Sequence, residues 1–341
     1  MAVLAILLSG STGWLWWAQT RVPDPSTRAP IVHPEPPAAF AKLGAPAAMA
    51  RPGVLPTTAV SQYLKTTSST RLFQLGCAEA MSLSTSTAES AVSVLAFGRP
   101  IKQETWQWGA SLFGRGFRST GQIRLGTQAY ADGYVRCSLG GPRLTVAIGT
   151  SNYGPGVTFR HGWAWALMVN AANQWVLDMG YAGRVEFAGA NDIELSWNGP
   201  GVSKAWVRGY DSVADWPYFD FGDAAECPPQ GNCLGAWTPE DVWYVSWGAR
   251  SAWPLPQIYT ANGLMAQQWY RLSLYSYLHH CWHMSIAGAL SQRVACLQSS
   301  DPCTGLDNSP ARAWGQLNRL LNGDTRTAQE LPWSSDFSWG F

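Results

Sequence analysis

From about residue 70 onward, short runs rich in apolar and β-branched residues recur between Gly, Pro and polar clusters. They fall at 71–77, 93–97, 143–150, 184–194, 218–222, 242–247, 255–260 and 284–288. Short runs with such boundaries read as strands. Longer amphipathic or Ala-rich stretches lie between several of them, at 162–176, 203–213, 261–278 and 310–321, and these are compatible with helices. Thr238-Pro239-Glu240-Asp241 reads as a helix start with Pro in the first turn. Eight strands alternating with crossovers over about 270 residues is the count and length of a (β/α)8 barrel of the TIM type. The predicted fold class is therefore α/β. The crossover at 99–142 is long and rich in Gly and Trp, so it is not a simple helix. An open doubly wound sheet is the competing architecture, but no Gly-x-Gly-x-x-Gly follows a first strand.

The N-terminal part follows a different pattern. Residues 1–18 carry no charge and are largely apolar. The segment is close to the shortest length that crosses a membrane. It also resembles the apolar core of a secretory signal without its basic start. Residues 19–60 are a Pro/Ala-rich linker, of the kind that acts as a semi-rigid spacer. The expected organisation is a signal or membrane-anchor segment at 1–18, a linker at 19–60 and a barrel domain at 61–341. Either reading of the first segment predicts an extracellular or cell-surface location, with the N-terminal segment as a possible membrane anchor.

Cysteine usage agrees with export. Cys227-Pro-Pro-Gln-Gly-Asn-Cys233 reads as a small disulfide-closed loop, and Cys296 and Cys303 flank another loop-like stretch. Cys77 and Cys137 are available as a third pair, which leaves Cys281 odd. No Cys-x-x-Cys argues for metal or redox chemistry. A net charge of +1 with 13% charged residues provides no electrostatic footprint for nucleic acid. Tryptophan, at 20 residues, exceeds what a core needs, and the surplus suits flat amphipathic ligands such as sugars.

Candidate chemistry gathers at the C-terminal strand ends, where barrels place their sites. Asp192 and Glu194, two residues apart on one strand, point to the same face, with Ile193 opposite. Each carboxyl raises the pKa of the other, which keeps one protonated near neutral pH for acid/base work. Asp220 and Asp223, after the fifth strand, are the available second carboxylates. Candidate substrate-binding residues are Arg99, Asn152, Tyr153, Trp247, Gln257 and Tyr259, with Arg99 otherwise expected to pair with Glu79. His279-His280-Cys281-Trp282-His283 offers metal-type side chains, but consecutive residues point apart, so the run reads as a helix end and no metal or other cofactor is expected. His161 reads as a helix-start histidine.

The stretch Gly189-Ala190-Asn191-Asp192-Ile193-Glu194 resembles the Asp-x-Glu strand of family 25 lysozymes and family 18 chitinases. With Trp206–Gly209 and Ala266-Gln267-Gln268-Trp269-Tyr270, it also resembles the glycoside-hydrolase-like domain of exported bacterial proteins. The resemblance covers roughly 70–341 as short islands. It implies that Glu194 is the general acid and that Asp192 tunes it. The further aspartates of the family 18 motif are replaced here by Gly189 and Ala188, and the seventh strand end carries Gln257 and Tyr259 in place of a nucleophilic Glu. A substrate-assisted route, in which an N-acetyl group replaces the nucleophile, needs no such Glu. The expected function is hydrolysis of glycosidic bonds in peptidoglycan or another polysaccharide. The alternative is a non-catalytic glycan-binding or structural component of a surface or membrane complex on the same scaffold.

Overall fold

The computed structural model describes residues 54–103, 107–299 and 303–340; the apolar segment and most of the linker lie outside them. The chain begins β1 (Thr58–Leu64), α1 (Ser69–Ser82), β2 (Ser90–Ala96), β3 (Arg99–Lys102), β4 (Trp108–Leu112), β5 (Gly116–Ser119) and α2 (Thr120–Cys137). It continues β6 (Arg143–Ser151), α3 (Phe159–Asp178), β7 (Val185–Asp192), α4 (Pro200–Asp211), β8 (Tyr218–Asp220), α5 (Pro239–Trp243), a π-helical turn (Tyr244–Gly248) and β9 (Ala252–Pro254). It ends α6 (Leu264–His280), β10 (Gly288–Ser291), α7 (Arg293–Leu297), α8 (Pro310–Asn322) and β11 (Trp333–Gly340).

Eight strands form one parallel sheet in the order β10-β11-β1-β2-β6-β7-β8-β9. A single parallel bridge, Gln257↔Leu290, joins its two edges. The fold is thus a nearly closed (β/α)8 barrel of TIM-like type, as the alternation of runs implies. Strands β3–β5 form a separate antiparallel sheet. This sheet, followed by α2, is the long crossover that could not be one helix.

Local sequence signals start the helices. Ser119 and Gln122 form a capping box at α2, and Thr238 and Asp241 form one at α5, with Pro239 in its first turn. Thr158 accepts from the His161 amide at α3, and Ser309 from the Arg312 amide at α8.

The sheet register sorts the side chains. Ala96, Gly149, Ala190 and Tyr63 lie on the lumen face. The space left by Ala96, Gly149 and Ala190 is filled by aromatic rings, with Phe221 packed on Gly149 and on Phe337. Phe219 packs on Trp333 with ring centres 5.7 Å apart. All four of these aromatic residues are buried, so the barrel is a filled core rather than a pore.

Outside the sheet, Trp165 donates to the Ile148 carbonyl and Trp206 to His161 Nδ1, each at 2.9 Å. His161 Nε2 lies 2.9 Å from the Gly109 carbonyl. Burial lowers the His161 pKa to about 4, the Gly109 bond opposing it only in part, so the ring is neutral and structural. Trp237, Trp243, Trp314 and Trp333 also place their indole N–H groups on protein acceptors. Helices α3 and α4 approach closely where a glycine of one meets the backbone of the other: a Cβ at Gly162 would strike the Trp206 carbonyl, and one at Gly209 the Phe159 carbonyl.

Three disulfides are present: Cys227–Cys233, Cys296–Cys303, and Cys77–Cys137, which ties α1 to α2. Cys281 is free and exposed. This usage suits an oxidising compartment. Among the described residues, no helix is long and apolar enough to cross a membrane.

Several expectations are corrected. Residues 71–77 belong to α1, where burial at Leu72, Gly76, Glu79 and Ala80 follows helical spacing. Residues 242–247 form the end of α5 and the π-helical turn. The first and eighth strands are instead β1, which begins at Thr58 within the stretch read as linker, and β11. The Asp-x-Glu strand, β7, remains fourth in the barrel. Gln257 follows the sixth strand, β9, and not the seventh.

Candidate active site

A cavity of about 840 Å³ opens at the C-terminal ends of the barrel strands. Asp192, Glu194 and Asp223 reach it from the fourth and fifth strands. Gln257 and Tyr259 enter from the sixth, and Arg99, Tyr153, Trp197, Tyr63, Phe113 and Trp339 complete much of the wall.

The acid pair owes its placement to the neighbouring strand. Beyond β6, the Asn152 amide nitrogen donates to the Asp192 carbonyl at 2.9 Å. The Asn152 side chain accepts from the Glu194 amide at 3.1 Å and donates to the Glu194 carbonyl at 3.0 Å. Its Nδ2 also lies 3.2 Å from Ser203 Oγ on α4. These bonds continue the strand-like course past the last residue of β7. Asp192 and Glu194 therefore share the cavity, while Ile193 is buried away from it.

The carboxyls hold their protons tightly. Burial pushes Asp192 well above the ordinary carboxylate range, reinforced by the charges of Glu194, Asp223 and Asp220. Gln257 Nε2 donates to Asp192 Oδ1 at 2.8 Å. Burial also raises Glu194, as does the Asp223 charge, and the Gln257 amide partly offsets the shift. Burial raises Asp223, against a bond from the Ala225 amide. Like charges crowded in a desolvated site share their ionisation, so the group retains protons at neutral pH.

Two aromatic walls flank the acids. On one side Phe113, Trp339 and Tyr63 meet edge-on or tilted, with Phe113–Trp339 ring centres 5.2 Å apart. Tyr63 stacks on Phe337 at 4.2 Å, and its hydroxyl lies 3.2 Å from that of Tyr259. On the other side Tyr153 meets Trp197 edge-on at 5.7 Å. Ring faces beside convergent carboxyls form a surface on which pyranose rings can stack while a polar bond lies over the acids.

Of the residues expected at the site, the fold brings Arg99, Tyr153, Asp192, Glu194, Asp223, Gln257 and Tyr259 together. Three lie elsewhere. Asn152 is fully buried and serves as the clamp just described. Asp220 faces away from the cavity, accepts from Ser246 Oγ at 2.5 Å and is raised to about 7, chiefly by burial. Trp247 sits on the π-helical turn, with its ring 6.3 Å from that of Trp253. The expected Arg99–Glu79 pair does not form. Glu79 is buried beneath α1, where it accepts from the Val60 amide at 3.0 Å and Ser93 Oγ at 3.3 Å. The histidine run ends α6, where His280 stacks on Trp243 and its Nε2 lies 2.8 Å from Glu240.

The residues that sequence reasoning missed are chiefly Tyr63, Phe113, Trp197, Gln292 and Trp339. Tyr63 and Trp339 lie on the two unread strands. The signal for β11 was available in the alternation Trp333, Ser335, Phe337, Trp339.

Fold and site together define a (β/α)8 barrel whose strand ends hold a desolvated carboxyl group between two aromatic walls. No protein-family model matches the chain, and no curated protein matches it.

Stability should depend on pH in a defined direction. Glu79 and Asp220 are each raised to about 7 by burial. Between their unfolded values, about 4, and these raised values, the native state binds more protons than the unfolded chain. The stability these two carboxyls contribute is therefore full at low pH, falls as pH rises toward about 7 and levels off above that, while the neutral buried His161 opposes it below its unfolded value. The melting temperature is expected to be higher at pH 5 than at pH 8. Glu79→Gln keeps the acceptor oxygen for Val60 and Ser93, so it should shrink that difference by raising stability at pH 8. A Glu79→Gln protein as pH-sensitive as the wild type would remove Glu79 from this account.

Proposed function

We propose that the chain is an exported glycan-active enzyme that hydrolyses glycosidic bonds of peptidoglycan or another polysaccharide. The observation that carries the reading is the convergence of Asp192 and Glu194 on one aromatic-walled cavity, in surroundings that keep carboxyl protons on at neutral pH. In this reading a sugar spans the acids. Glu194, two residues further toward the rim than Asp192, passes its proton to the leaving glycosidic oxygen. Asp192, held by Gln257, shapes the charge that builds on the sugar ring. Asp223, facing the same space from the fifth strand, is the second carboxylate for a water or for the ring carbon. The three disulfides fit a protein that works outside the reducing cytosol.

The test is a screen of the full chain against peptidoglycan, chitin and α- and β-glucans, with binding and release of reducing ends scored separately. Cleavage of one of these by the wild type is the expected result. Binding without release would move the chain to the non-catalytic glycan-binding alternative. No binding and no release would end the glycan reading.

A further inference from the structure

Arg99 is the one basic residue that lines the cavity among the described residues. Its guanidinium carbon lies 5.9 Å from the centre of the Tyr153 ring. It stands on the same wall as Trp197, and no carboxylate is within ion-pair reach of it among the described residues. The cavity carboxyls therefore do not employ this cation as their own counter-ion.

The base of the side chain is held in place. Gly98, at φ 84°, turns the chain out of β2, and Thr150 Oγ1 donates to its carbonyl at 3.0 Å. Arg99 itself pairs with Ser111 across the antiparallel sheet. A cation fixed at its root, resting near an aromatic face and free at its tip is arranged to receive an anion. A guanidinium fork matches a carboxylate through two parallel hydrogen bonds.

The rest of the cavity sharpens this. The floor, lined by Asp192, Glu194 and Asp223, presents a desolvated surface with no cation among the described residues to pair an anionic group. A ligand that carries a carboxylate finds a counter-charge in the cavity only with that group turned toward Arg99. Taking the glycan reading above as its basis, we propose that Arg99 receives a carboxylate carried by the substrate, and that the natural substrate is an acidic glycan. The carboxylate-bearing sugar lies against Tyr153 and Trp197, and the next sugar lies toward Phe113 and Trp339. The bond between them crosses Asp192 and Glu194.

Two kinds of sugar carry such a group: a uronic acid, on the ring carbon chain, and a cell-wall sugar with a lactyl ether. The test is calorimetric binding of the full chain to two pairs of oligosaccharides. One pair is a uronate-containing oligosaccharide and its carboxyl-reduced form. The other is a peptide-free peptidoglycan glycan strand and its carboxyl-reduced form. The wild type is expected to bind the acidic member of one pair about ten-fold or more tightly than the reduced member, and that pair identifies the source of the carboxylate. Arg99→Gln should erase the preference by weakening the acidic member far more than the reduced one, and Arg99→Lys should restore part of it. Arg99 is exposed, so the melting temperature of each variant checks that folding is intact. Equal affinity for both members of both pairs, or an Arg99→Gln loss equal for acidic and reduced forms, overturns the proposal and leaves the glycan reading standing. An Arg99-dependent preference without cleavage supports it and removes only the hydrolysis. No binding to any member overturns both.

Discussion

Glu194→Gln is expected to lower turnover of a cleavable glycan by about 10²–10⁴-fold, the usual contribution of a general acid. Affinity for the same glycan should change little, because Gln keeps the size of the side chain and its accepting oxygen. The clamp from Asn152 acts on the backbone amide and carbonyl of residue 194, so it survives the substitution. The split between turnover and binding is the diagnostic feature, since a substitution that merely disturbed the cavity would weaken both. Asp223→Asn supplies the companion test. The Asp223 charge is, after burial, a cause of the raised Glu194 pKa. Its removal also takes away the second carboxylate, so turnover should fall steeply, and in the residual rate the alkaline limb of the pH–rate profile should move to lower pH as the Glu194 pKa falls. Unchanged hydrolysis in Glu194→Gln would place the acid elsewhere, with Asp223 the next carboxyl facing the cavity.

The second large effect concerns stability. Paired Ala substitution of Cys77 and Cys137 is expected to cost about 4 kcal/mol in the chain-entropy account of disulfides. The bond spans 60 residues, and it closes α1 on α2 across β2 and the whole antiparallel sheet. The Cys227–Cys233 bond spans only 6 residues. Its paired removal should cost about 2 kcal/mol in the same account. Equilibrium denaturant unfolding of the two double variants checks the order. If losing the long loop costs no more than losing the short one, then α1–α2 packing rather than the cross-link holds that corner of the barrel. The close crossing of these helices makes that outcome intelligible, since a Cβ at Gly76 would strike the Tyr130 carbonyl.

Legibility in the sequence followed the physics of each segment. β6 and β7 were readable because they are long and almost wholly buried, with short apolar centres at 146–148 and 187–190. The acid pair was readable because a period of two needs no knowledge of neighbours. Residues 71–77 misled because Leu72, Phe73 and Leu75 supply apolar side chains at both strand and helix spacings. Only the packing of α1 on α2, with glycine at the crossing, decides between them. β1 escaped notice because it starts directly after the Pro-rich stretch, and its apolar residues are mixed with Thr58, Ser61 and Gln62. The polar ones are satisfied by partners far along the chain, such as Ser61 Oγ with Ser335 Oγ at 2.8 Å. Asn152 looked like a substrate ligand from its place at a strand end. Its role as a clamp depends on contacts with Glu194 and Ser203 that no local pattern reveals. Asp220 shows the same limit: one residue of parity places it on the helix side of the sheet, away from Asp192.

The barrel is uneven around its circumference. From β11 through β1, β2 and β6 to β7 the strands run seven to nine residues, whereas β8 and β9 have three each and reach β10 through a single bridge. Backbone amides along the long strands belong to the part of a fold that opens only on global unfolding, while those beside the seam exchange through smaller local openings. Asp192 and Glu194 lie at the end of the long-strand arc, and Asp223, Gln257 and Tyr259 beyond the two short strands. The acid pair is thus expected to keep its internal geometry during openings that loosen the opposite bank of the cavity.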